Sequence, residues 1–600
     1  MSTLDLAVIG NCAISSMIDK KGRHVWHCRP RFDGDPVFSS LLNGADPKQG
    51  FMDVLVHDFC DSKQAYIRNT AVVETILEDS NQNKCRLIDF APRHIRFGRM
   101  FRPPMLIRRI EPLQGACRIK VRVRPHFEYG ARKTQITTGS NHVRFVPDEN
   151  SVIRLTSDMP LSYLLNETEF VLNRPVNLIL SSDEPIPERP ETIVLRFMEE
   201  TINHWQEWVR GLAIPFDWQE AVIRAAITLK LCSYEDNGAI VAALTTSIPE
   251  APGSTRNWDY RHCWLRDALF TVSALNRLGA TQTMEGFIHY LLDNVLTKSD
   301  APLSPIYSIT AEPLPDEAFA PSLVGYRDMG PVRVGNAAVS QQQNDVYGSV
   351  ILSAAQMFWD QRIQKPAGID MYRLLCPIGE QALANALKPD AGIWEYRFRE
   401  RTHTFSAAMC WAAIHSLGRI AHHVGLADEG NVWLAKASTL RTEILTRALD
   451  HENNWITGSF EGREADASLL LLPEIGFISA DSNIYRNTLS MIEKRLFRNG
   501  YIMRYDEADD FGLPHTAFTV CAFWYIDSLV ATGQREKALE LFHSILERRN
   551  HVGLLSEDID PTTGELWGNF PQTYSQVGLI LSALRLSQTW EQGLWGALQE

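Results

Sequence analysis

Six hundred residues exceed what one hydrophobic core usually supports, so more than one domain is expected. With 45% hydrophobic and 22% charged residues the chain reads as an ordinary soluble globular protein. A net charge of −13 argues against nucleic acid or an anionic membrane as a partner and favours an uncharged substrate. The opening residues, MSTLDLAVIGNCAISSM, lack the basic and long apolar regions of a signal peptide. No uninterrupted apolar run of about 18 residues suggests a membrane span, and a cytoplasmic location is expected. The ten cysteines include no CxxC pair and are read as buried, reduced thiols rather than a disulfide framework or a zinc site.

Up to about residue 190 the hydrophobic period is mostly two. Residues 118–124, RIKVRVR, alternate polar and apolar as a half-buried strand does. The runs TAVVETILE, KCRLIDFAP, SVIRLTS and PVNLILSS have the same strand-like character, with Gly, Pro, Asn and Asp clusters between them. Residues 1–190 are therefore predicted to form an N-terminal antiparallel β domain. After the Pro-rich DEPIPERPET, residues 191–215 are predicted to carry an amphipathic linker helix that ends near Pro215.

From residue 216 to 600 the period is helical, with about twelve segments. They lie near 218–235, 267–279, 283–296, 344–363, 369–387, 405–424, 427–448, 465–475, 482–496, 516–532, 534–548 and 575–590. Joins from even to odd segments are short, whereas the odd-to-even joins 236–266, 297–343, 388–404, 449–464, 497–515 and 549–574 are long. In a ring of antiparallel helical hairpins every odd-to-even join lies at the same end. Six long loops then converge on one face of an (α/α)6 barrel, and functional residues concentrate on loops held by a rigid scaffold.

Five of those loops are rich in aromatic, acidic and amide residues. The first holds NWDYRHCWLRDALF (257–270), the second GYRDMGPVRVGNAAVSQQQNDVYG and the third AGIWEYRFRERTHTF. The fifth holds GYIMRYDEADDFGLPHTAF and the sixth GLLSEDIDPTTGELWGNFPQTYSQ, while the fourth, WITGSFEGREADAS, is less distinctive. Aromatic faces stack on the C–H faces of sugar rings, and planar carboxylate, amide and guanidinium groups hydrogen-bond adjacent hydroxyls. The mixture fits a neutral carbohydrate pocket. Glycoside hydrolysis needs a protonated acid and an ionised partner. Glu395 beside Ile393 and Trp394 suggests an apolar setting for the acid, and Glu557 is a candidate partner. Composition alone does not set either above Asp259, Asp267, Asp506 or Glu565.

WDYRHCWLRDALFT, GPVRVGNAAVSQQQNDVYG, GIWEYR, DASLLLLPEIGF and GLLSEDIDPTTGELWGNFPQTYS resemble the blocks of glycoside hydrolase family 15, which includes glucoamylases, glucodextranases and a trehalase branch. IGNCAISSMIDKKGRHVWHCRPRFDGDPVFSSLLNG resembles the trehalase-like N-terminal domain of many prokaryotic members. The resemblance implies a β-sandwich followed by an (α/α)6 barrel, and inversion at the anomeric carbon. It places the general acid at Glu395 and the general base at Glu557, and gives Arg266 and Asp267 the grip on a glucose beside Trp264. Trp258, Asp259, Tyr260 and Trp394 become expected pocket walls, with Trp567 and Gln572 placed there too. Two departures lie on the same face. Gly512-Leu513-Pro514 is followed by His515-Thr516-Ala517 without the Glu seen in many relatives, and His262 stands where Tyr is common.

The leading expectation is an inverting, exo-acting α-glucosidase of glucoamylase type that releases β-glucose from non-reducing ends. Its alternatives are a trehalase, an inverting glycoside phosphorylase, against which Glu557 counts because phosphate needs no general base, and a non-hydrolytic sugar-binding protein. No cofactor or metal is expected. The expected partner is a small carbohydrate, with linkage, chain length and homo-oligomerisation left open.

Overall fold

The computed structural model describes residues 3–148, 151–298, 302–310, 312–363 and 365–596. The N-terminal part is a sandwich of two antiparallel sheets. One runs in the order Leu6–Gly10, Ser15–Asp19, His24–Arg29, Phe51–Val56, Arg118–Arg124 and Phe170–Val171, with Asp35–Phe38 also paired to His24–Arg29. The other has eight strands, in the order Gln135–Thr138, His142–Val146, Ile153–Ser157, Val176–Ser182, Leu106–Gln114, Lys84–Phe90, Val73–Asp79 and Phe59–Tyr66. All five runs with period-two character are strands, because one face of each meets the core. Ile119 and Val121 join Val54 on one side of that core, and Leu87 and Leu178 form part of the other.

The helix Pro190–Arg210 begins with Pro190 in its first turn, where a missing N–H costs nothing. It ends at Arg210, five residues before the expected Pro215. It is no free linker. Ile193, Val194 and Phe197 cover the outer face of the eight-stranded sheet, packing with Ile88, Phe90 and Ile179. Further along the same helix, Trp205 and Val209 belong to the core of the helical part. The helix thus splints the sandwich to the helical part.

That part is an (α/α)6 barrel. Its inner ring contains Leu265–Arg277, Asp345–Trp359, Thr404–His423, Thr519–Ala531 and Thr573–Leu586. The outer layer contains Gln219–Leu231, Thr281–Asn294, Ile369–Asn385, Ala427–Ala448, Asn483–Leu496 and Arg535–Leu546. Inner helices are buried nearly all round, as Thr519–Ala531 and Thr573–Leu586 are, whereas outer ones bury a stripe. The fourth inner position departs from the helix expected at 465–475: it is a short 3-10 turn, Ala467–Leu471. Asp466 caps it by accepting the Ser468 N–H at 2.8 Å, and Pro473 lies just beyond, where it cannot donate an onward helical hydrogen bond. The six long joins lie at one end of the ring, and five of them line one cleft.

Candidate active site

The cleft is lined by a mixture of aromatic, acidic, basic and amide side chains, the composition that suits a small polar ligand. Nine of the eleven expected site residues line it: Glu395, Glu557, Trp258, Tyr260, Trp264, Arg266, Asp267, Trp394 and Gln572. They come from the first, third and sixth long loops, and the fifth adds Arg504 and Tyr505. The fourth loop adds nothing directly, and stands behind the wall through Asp466, whose carboxylate accepts the Trp394 indole N–H at 2.9 Å.

Glu395 sits in a left-handed backbone conformation, φ 60°, uncommon for a residue with a side chain. Its Oε1 accepts the Trp264 indole N–H at 2.7 Å and an Arg266 N–H at 3.3 Å. Ile393 and Trp394, its neighbours in the chain, line the same cleft. The hydrogen bonds to Glu395 come from the helix Leu265–Arg277 and the residue before it.

Glu557 is nearly inaccessible, at 1% exposure. Its Oε2 accepts the Asn569 N–H at 2.9 Å, and its Oε1 lies 3.9 Å from an Arg504 nitrogen. Gly568 leaves room for it: at φ 73°, a Cβ there would meet the Glu557 Cβ at 2.6 Å. Burial, reinforced by Asp558 and Glu250, pushes the Glu557 carboxyl well above the usual carboxylate range, and Arg504 opposes the shift. Arg504 is the cation shared by this acidic group. It donates to Glu250 at 2.5 Å and to both oxygens of Asp558 at 3.1 and 2.9 Å. Burial likewise pushes Asp558 up to about 7, against the pull of Arg504.

Tyr260 lines the cleft with both carboxylates. Burial is the main cause that raises its phenol, and Glu557, Glu250 and Glu395 all add to it, which places the hydroxyl within the field of both sides of the cleft. Arg266 donates to Gln343 at 2.9 Å and to Asp345 at 3.1 Å. Asp267 follows it in the first turn of its helix, where burial pushes its carboxyl up to about 7 against the influence of Arg266. Gln572 caps the helix Thr573–Leu586, its Oε1 accepting the Tyr574 N–H at 2.6 Å.

Two expected wall residues lie behind the cleft. Asp259 is fully buried and takes two N–H bonds from the Arg261 guanidinium, at 2.9 and 2.8 Å, and one from the Gly335 backbone at 3.1 Å. Arg261 and His262, burial opposing them, hold its carboxyl far below the usual range, so it is a structural anion. Trp567 is 2% exposed and packs edge-on against Tyr326, with the Arg327 guanidinium over its ring. His262, the substituted position, stands 3.6 Å from Asp259 and also lies outside the cleft lining.

Residue-by-residue reading of the sequence misses Glu250, Arg504, Asp558 and Tyr574. Arg504 and Asp558 are visible as members of the MRYDEADD and SEDID runs, but only the fold reveals that they share one ion cluster. Glu250, between two prolines, carries no signal of its own. Among the described residues there is no group of three or more His, Cys, Asp or Glu arranged to hold a metal.

Residues 217–584 match the family model described as glycosyl hydrolases family 15. A trehalase of Thermoplasma volcanium is 31% identical over 603 aligned residues, covering 97% of this chain and 93% of that protein. A trehalase of Mycobacterium tuberculosis is 29% identical, covering 98% and 90%. Among solved structures, a bacterial glucoamylase complexed with acarbose superposes with a TM-score of 0.70, covering 97% of this chain and 93% of that one at 13% identity. At that identity the likeness is one of fold.

Proposed function

The chain belongs to glycosyl hydrolase family 15, and from that membership we propose that it hydrolyses α,α-trehalose to two glucose molecules with inversion at one anomeric carbon. One observation carries the choice of substrate: the relatives named trehalase resemble this chain from end to end, sandwich included. The glucoamylase expected first from sequence is supported at the level of fold alone.

In the proposed mechanism Glu395 is the general acid. Its Oε1 is occupied by the Trp264 and Arg266 donors, which leaves Oε2 to carry the proton to the glycosidic oxygen. Glu557 is the general base, taking a proton from the water that attacks the opposite face of the ring. The Asn569 N–H fixes one of its oxygens, so the other is presented in a defined direction. Arg266 and Asp267 hold hydroxyls of the glucose that undergoes attack, with Trp264 and Trp394 as walls. Gripping the distorted ring more tightly than the relaxed one lowers the barrier. Water is both nucleophile and co-substrate, so the residues present balance the reaction.

The test is glucose release from trehalose, maltose, isomaltose and maltotriose, measured without phosphate for the wild-type protein and for Glu395→Gln and Glu557→Gln. Trehalose is expected to be the preferred substrate. Each variant is expected to fold normally and lose at least about a hundredfold in kcat, the usual scale of a lost general acid or base. Preference for maltotriose would return the protein to the glucoamylase reading, and a phosphate requirement with glucose phosphate as product would make it a phosphorylase. Near-wild-type turnover in either variant would remove that residue from its role.

A further inference from the structure

Side chains from several long loops are bonded to one another along the cleft. Arg397, two residues beyond Glu395, lies with its guanidinium 4.3 Å from the centre of the Trp258 ring. Glu317, from the second long loop, accepts from both terminal nitrogens of Arg397, at 3.1 and 2.8 Å. The same carboxylate accepts from Arg333 at 2.7 Å and from the Ala337 N–H at 3.3 Å. The fifth loop joins through Asp510, which accepts the Arg397 and Phe398 backbone N–H groups at 2.5 and 3.2 Å. It joins again through Phe511, whose ring stands edge-on to Trp258 at 5.3 Å. Trp258, Arg397, Asp510 and Phe511 line the same cleft as Glu395 and Glu557.

These ties bear on substrate length. A glucan longer than two residues must pass its remaining rings out through the mouth of the cleft. The Glu317–Arg397 bridge ties the second loop to the third at Arg397, which lines the cleft. Only 12% of the Glu317 side chain and 20% of Arg397 are exposed, so the bridge is partly withdrawn from water, and charge-assisted paired hydrogen bonds of this kind are among the strong ones. Removing its carboxylate leaves the Arg397 and Arg333 guanidiniums without the acceptor they share.

We propose that the Glu317–Arg397 bridge is a specificity-determining closure. It shapes the site of the second glucose, where Arg397 and Asp510 face that ring's hydroxyls, and it bars a third sugar from the mouth. The proposal rests on the trehalose reading for the identity of the second ring. The bar to a third ring holds for any α-linked disaccharide.

The experiment compares kcat/KM for trehalose, maltose and maltotriose in the wild type, Glu317→Ala, Glu317→Gln, Arg397→Gln and the double variant Glu317→Ala with Arg397→Gln. Thermal melting of each protein is recorded alongside. The wild type is expected to cleave maltotriose at less than a hundredth of its rate on its preferred disaccharide. In Glu317→Ala the trisaccharide-to-disaccharide ratio is expected to rise at least tenfold. The change should appear mainly as a raised KM for the disaccharide and a lowered KM for the trisaccharide. Arg397→Gln should give a similar ratio, and the double variant no more than the larger single effect, because both changes cut one bridge. A merely structural role moves all substrates together and leaves the ratio alone, so a ratio within twofold of wild type in a variant that still melts cooperatively overturns the proposal. If Glu317→Ala does not fold, Glu317→Gln, which keeps the shape and removes the charge, supplies the same comparison. A wild type inactive on trehalose but active on maltose would refute the substrate reading alone, because the maltotriose-to-maltose ratio still tests the closure.

Discussion

At the scale of single residues, two glutamates that look alike in sequence are treated differently by the fold. Glu395 is partly exposed and held by an indole and a guanidinium. Glu557 is sealed behind Gly568 and surrounded by acids that share Arg504. A base must be ionised to act. Because burial, Asp558 and Glu250 raise the Glu557 carboxyl well above 4.5, the ionised form of the free enzyme is lost as pH falls through a value higher than an ordinary glutamate would give. The acid limb of kcat/KM reports that ionisation. It is expected to lie well above pH 4.5 and to shift in Asp558→Asn, which removes one of the carboxylates that raise it. Full kcat/KM maintained down to pH 4.5 would contradict the role given to Glu557. The identities of these glutamates are legible from their sequence blocks, but their environments are not. The donors to Glu395, Trp264 and Arg266, come from a loop and helix far earlier in the chain.

At the scale of elements, the stretch NWDYRHCWLRDALF divides into residues that line the cleft and residues that hold the loop. Trp258, Tyr260, Trp264, Arg266 and Asp267 line the cleft, whereas Asp259 and Arg261 turn back to the sandwich. Besides pairing with Asp259, Arg261 donates to the Gly34 carbonyl at 2.9 Å and to the Tyr129 hydroxyl at 2.7 Å. The N-terminal domain therefore holds a loop of the cleft in place. Removing one member of a fully buried pair leaves the other charge without compensation, which costs about 3–5 kcal/mol. Arg261→Leu is expected to lower the stability measured by urea unfolding by that amount, and a loss below about 1 kcal/mol would mean that the pair is not the anchor described. Alternation of aromatic and charged residues marks this stretch as functional. It does not reveal which of two aspartates serves the pocket, since that depends on a guanidinium two residues away and on a domain far earlier in the chain.

At the scale of the whole molecule, the unequal loop lengths are the most informative feature of the sequence. Alternating short and long joins between helical segments specify a ring with one elaborated face, and five of the six long loops line the cleft. The weak fourth loop and the short fourth inner turn, Ala467–Leu471, coincide. Periodicity could not separate that turn from a helix, because a run such as ASLLLLPEIG is apolar in either form. The choice of substrate is least legible, since the cleft is lined by residues from loops far apart in the chain. Inverting hydrolysis of trehalose is tested most sharply by the anomeric composition of the glucose released, followed by NMR before mutarotation equilibrates the products. Inverting attack at one carbon converts that half to β-glucose while the other half departs as α-glucose. The two anomers are expected in equal amounts at early times. Release of α-glucose alone, or no release from trehalose at all, would contradict the mechanism.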